Sequence, residues 1–81
     1  MQPISIEKNS MVAHTAARLV LAAMRREKVL DLSDAQAMVW TGLPTDAVRA
    51  AFVFLASDSD ARLYTSQAKL MLSFAKMPWL S

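Results

Sequence analysis

Apolar residues recur at helical spacing over a long stretch of the N-terminal half. From Met11 to about Lys28 there is no glycine or proline, good helix formers dominate, and Val12, Ala16, Leu19, Val20, Ala23 and Met24 fall on one stripe. The pattern predicts a first helix with one face on a core. Ser10 has the side chain of an N-cap. Residues 1–9, where Pro3 precedes Ile4 and Ile6 alternating with polar neighbours, read as an N-terminal arm or a short strand. Arg25, Arg26 and Lys28 gather at the C-terminal end of the helix, where positive charge suits the macrodipole.

Val29, Leu30 and Leu32 then form a brief extended segment before Ser33, a cap for a second helix over Asp34 to Thr41. Gly42 supplies the left-handed residue that commonly closes a helix. Pro44 is suited to a first helical turn, Thr45 and Asp46 place polar atoms at an amide-rich N-terminus, and Val48, Ala51, Phe52 and Leu55 carry a third helix to about Ser57. The cluster Ser57, Asp58, Ser59 and Asp60 ends it.

Residues 66–77 support two readings. As strands, Arg62 to Thr65 and Lys69 to Phe74 make a hairpin around Ser66, Gln67 and Ala68, with Leu63 and Thr65 on one face and Leu70, Leu72 and Phe74 in an alternating row. As a helix, Ser66 caps a segment in which Ala68, Met71, Leu72 and Ala75 keep a 3.6 period and nothing is β-branched. The order of elements favours the hairpin, giving a mainly α domain with a small β-hairpin over residues 10–76; the alternative is an all-α four-helix bundle. Pro78 ends either element, and Trp79 and Leu80 in the tail, residues 77–81, are expected to pack on the core or on a second subunit.

Composition narrows the chemistry. At 81 residues the chain suits one small domain, and such a domain buries only about 60% of the surface its unfolded chain exposes, whereas 54% of these residues are hydrophobic and 20% charged. The apolar excess points to a used surface, most simply in self-association, with Leu19, Val53, Phe54 and Trp79 as its candidate residues. Cysteine is absent, so disulfides, thiolate metal sites and cysteine nucleophiles are excluded. His14 is the sole histidine, and a His-based metal site or catalytic triad would rest on it alone. A single glycine excludes a glycine-rich phosphate loop. Asp58 and Asp60 read as a helix-ending turn rather than paired catalytic carboxylates. No enzyme, cofactor or metal is expected. The uninterrupted apolar run Leu19 to Met24 is far short of the roughly 20 residues of a membrane span, and residues 1–28 lack the layout of a signal peptide, so a cytoplasmic location is expected.

The stretch Leu30 to Thr65 resembles a winged helix-turn-helix domain. Leu30-Asp31-Leu32-Ser33-Asp34 leads into the short helix, Trp40-Thr41-Gly42-Leu43-Pro44-Thr45-Asp46 forms the turn, Val48 to Leu55 is the second helix of the motif, and Ala61-Arg62-Leu63-Tyr64-Thr65 starts a wing. With the first helix the resemblance spans nearly the whole chain. It implies that the second motif helix enters a DNA major groove while the hairpin follows the backbone or minor groove. The nucleic-acid contacts would then be Thr45 and Arg49 on the helix and Arg62, Gln67 and Lys69 on the wing.

Charge runs against part of that implication. Residues 1–28 carry +3, residues 31–60 carry −4 and residues 61–81 carry +3, so the net charge of +2 is a sum of basic ends around an acidic centre. Non-specific DNA affinity comes mainly from phosphate neutralisation, so a weak monomer is expected, and a homodimer would double its contacts. Two functions from different classes follow: a winged-helix homodimer regulating transcription on duplex DNA, or a protein-interaction module that docks its apolar surface on a partner protein without binding DNA.

Overall fold

The order of elements is α1 (Pro3–Glu27), β1 (Asp31–Ser33), α2 (Asp34–Thr41), α3 (Thr45–Asp58), β2 (Ala61–Ser66) and β3 (Lys69–Phe74). The computed structural model describes residues 3–58 and 60–76, with side-chain surroundings from residue 12 onward.

Helix α1 starts well before the sequence pattern suggested. Pro3 lies at its first position, where the missing N–H costs nothing and the fixed φ is already helical. No helix breaker follows until the end of the element, so the helix runs through Ile4, Ile6 and Ser10, which is neither a cap nor the boundary of an arm. At the other end Lys28 adopts φ 58 and the Val29 N–H donates to the Met24 carbonyl at 3.1 Å, the crossing bond of a Schellman closure.

The segment from β1 through α2 to the start of α3 follows its local signals closely. Ser33 is extended (φ −85, ψ 156) and its hydroxyl accepts from the Gln36 N–H at 3.1 Å. Gly42 turns left-handed at φ 75 and donates to the Met38 carbonyl at 2.9 Å. Thr41 braces the same corner: its hydroxyl donates to the Ala37 carbonyl at 2.6 Å and accepts from the Leu43 N–H at 3.2 Å. Pro44 stands just before α3, and its carbonyl accepts from Val48 at 3.1 Å.

The three strands form one antiparallel sheet in the order β1-β3-β2. Residues 66–76 therefore contain a strand and not a fourth helix, and the all-α alternative is corrected. Long-range burial outweighs helix propensity here. Leu32, Leu72 and Leu63 stand in one cross-strand row facing the helices, and Ala61 opposite Phe74 extends that apolar face. The link is two residues long: Ser66 pairs with Lys69, while Gln67 and Ala68 take φ 53 and 64, as a type I′ connection requires. Phe74 also donates to the Leu30 carbonyl at 3.0 Å, tying the sheet to the exit of α1.

Among the described residues Val20, Met24, Val48, Phe52 and Leu72 are the largest fully buried side chains. On α1 the buried stripe is Ala16, Ala17, Val20, Ala23 and Met24, rotated from the expected one, so that Val12 and Leu19 lie at its margin, a little under half exposed. The alanines let α1 and α3 approach closely, with Ala47 and Ala51 of α3 also buried. Among the described residues no helix is long and apolar enough to cross a membrane.

Candidate nucleic-acid interface

The outward side of α3 is poor in free cations. Arg49 donates through Nε at 3.1 Å and through Nη2 at 3.0 Å to the same Oδ2 of Asp34, whose side chain is almost fully buried. The other carboxylate oxygen of Asp34 accepts from the Ala35 N–H at 2.7 Å. Asp34 occupies the first turn of α2, where the helix field favours negative charge, and Arg49 straps it to α3. The pair serves the fold and leaves little net charge for a phosphate. Thr45 is likewise engaged, its hydroxyl donating to the Met38 sulfur at 3.1 Å. Asp46, Val53 and Ser57 complete the exposed stripe of α3. Thr45 and Arg49, expected from sequence as contacts, are thus both on this face and each has a partner within the chain, while the Arg49 side chain remains 55% exposed.

The hairpin differs. Strand alternation sends Ala61, Leu63, Leu70, Leu72 and Phe74 to the core and Arg62, Tyr64 and Ser66 of β2 to the outer face, with Ser73, Met71 and Lys69 of β3 directly opposite them. Arg62 and Lys69 are exposed, and the two ion pairs found among the described residues, Arg49 with Asp34 and Arg26 with Glu27, involve neither. Gln67 is exposed at the tip. Beside Arg62 a shallow depression of about 280 Å³ is lined by Asp60, Ala61, Ser73 and Ala75. On the β1 side, the Ser73 hydroxyl donates to Asp31 at 2.5 Å and occupies that carboxylate. The structure therefore brings Arg62, Gln67 and Lys69 onto one hairpin, apart from the Arg49 corner.

Tyr64 was not among the sequence candidates. It is 42% exposed, and the signal for it was present in the alternation that places it on the same face as Arg62. Asp34 was also missed, because only the tertiary structure brings it to Arg49.

The residues expected at a partner surface are spread out. Leu19 is 44% and Val53 53% exposed, while Phe54 is half-buried and meets His14 edge-to-face with ring centroids 5.4 Å apart. Trp79 lies outside the described residues. A second groove of about 550 Å³ is lined by Val12, Pro44, Asp46, Ala47 and Ala50, between α1 and the start of α3. Among the described residues no cluster of three potential ligands stands close enough to hold a metal ion. No family model, no curated protein and no solved structure matches the chain.

Proposed function

We propose that the chain is a small DNA-binding regulator of winged-helix layout that meets duplex DNA chiefly through its C-terminal hairpin and acts as a homodimer. The observation that carries the reading is the engagement of Arg49 by Asp34 while Arg62 and Lys69 stand free on the outer hairpin face. The sequence of elements and the β1-β3-β2 sheet support the winged-helix layout. One hairpin offers few phosphate contacts, so a single copy binds weakly, and pairing two copies doubles the cationic surface. The exposed Leu19 and Val53 are the surfaces offered for that pairing. The test is a mobility shift with random duplex DNA at low salt: a shift is expected, it weakens steeply as salt rises, and Arg62→Ala and Lys69→Ala each reduce it. No shift at high protein concentration removes the reading.

A second reading is favoured by one observation. Val53 stands on the solvent side of α3, and the nearby groove has the apolar walls Val12, Pro44, Ala47 and Ala50. A protein-interaction module would use that side and ignore DNA. In that case duplex DNA gives no shift, and Val53→Asp abolishes binding to a partner protein while leaving the fold intact.

A further inference from the structure

The outer hairpin face has an aromatic ring set between two cations. Tyr64 stands in the middle of β2 with Met71 directly across on β3. Arg62 is two residues before it on the same face, opposite Ser73, and Lys69 lies diagonally beyond it, opposite Ser66. At strand geometry each cation's backbone position is about 7 Å along the sheet from that of Tyr64, on opposite sides. Among the described residues Ser66 and Ser73 on this face are small, Met71 stands across from the ring, and Tyr64, Arg62 and Lys69 are all exposed. Two carboxylates border this face at its Arg62 end, Asp60 in the depression beside Arg62 and Asp31 one strand beyond Ser73, whose hydroxyl it holds; Tyr64 and Lys69 lie toward the other end.

A ring alone is common on an exposed strand. A ring flanked along its strand direction by two free cations has the chemistry of a nucleotide site, because a base can lie on the ring while the adjoining phosphates meet the cations. A base inside a duplex is stacked on both faces and cannot take that place, whereas an unpaired base can.

We infer that the outer face of the hairpin binds single-stranded nucleic acid by stacking an unpaired base on Tyr64, with the flanking phosphates held by Arg62 and Lys69. The inference rests on the hairpin being the nucleic-acid-binding surface, and it adds strand state and a stacking residue to that reading. Such a site is tolerant of sequence, since every base has a π-face. It also gives the hairpin a use at mismatches, frayed ends or displaced strands.

The experiment is fluorescence anisotropy of the full chain with a labelled oligothymidine and with a labelled random duplex of the same length, both at low salt. The single strand is expected to bind, Tyr64→Ala to weaken it by about tenfold or more, and Tyr64→Phe to retain it. Duplex affinity is expected to change little in either variant. Tyr64→Leu, which keeps an apolar strand residue without a π-system, is expected to behave as Tyr64→Ala, so any folding defect of the alanine variant is separated from loss of stacking. Duplex binding with no single-strand binding, or single-strand binding indifferent to Tyr64→Leu, overturns the stacking site and leaves the duplex reading standing. Absence of binding to both overturns the two together.

Discussion

Arg49 of α3 reaches Asp34 at the start of α2 with two N–H groups on one carboxylate oxygen, and Asp34 is only 5% exposed. The bond sets α2 and α3 against each other. It also pairs the lone cation of residues 31–60, whose side chain stays about half exposed, with a carboxylate of the chain itself.

Arg49→Ala is therefore a stability variant. It leaves a buried carboxylate without its cation, and because the guanidinium is about half exposed the expected cost is at the lower end for such pairs, about 2 kcal/mol. Urea unfolding monitored by circular dichroism checks the value. The double variant Asp34→Ala with Arg49→Ala is expected to recover part of the loss, because no lone buried charge remains.

Among the described residues, three that bear side chains sit in the left-handed region, Lys28, Gln67 and Ala68. Lys28→Gly is expected to raise stability by about 1 kcal/mol, and Gln67→Asn with Ala68→Gly to raise it by a similar amount. Gly42→Ala is expected to cost about 1 kcal/mol through backbone strain alone, since an added Cβ meets nothing within 4 Å. Shifts in urea midpoint at constant m-value test all three.

Leu19→Asp and Val53→Asp are expected to leave the melting temperature within a few degrees, because both side chains are largely outside the core. Sedimentation equilibrium then reports on association. The homodimer reading expects a dimer for the parent chain and a monomer for at least one of these variants; a monomeric parent chain contradicts it.

Much of this architecture was legible in short-range signals. Ser33 and Gly42 punctuate α2 as their chemistry dictates, and Leu63, Leu70, Leu72 and Phe74 alternate as a hairpin must. The local patterns failed where two of them competed. Ile4 and Ile6 alternate like a strand, yet an unbroken run of helix-compatible residues after Pro3 carries α1 through them. Leu19 shares a stripe with true core residues, but the crowding alanines turn the helix so that Ala17 is buried and Leu19 is not. The candidate site was half legible for a different reason. A helical wheel places Arg49 outward without showing that Asp34, fifteen residues earlier, waits beside it. Tyr64 needed no tertiary information, only equal attention to the outward row of β2.

On the proposed function the hairpin, and not α3, carries the cations that meet DNA. The salt dependence of duplex binding, measured by anisotropy for the parent chain, for Arg62→Ala with Lys69→Ala, and for Arg49→Ala, tests it most directly. Each lost phosphate contact lowers the magnitude of the log–log slope by about 0.9, so the hairpin double variant is expected to lose about 1.8 per copy while Arg49→Ala keeps the parent slope. A slope that falls in Arg49→Ala and stays unchanged in the hairpin variant would place the phosphate contacts on α3 instead.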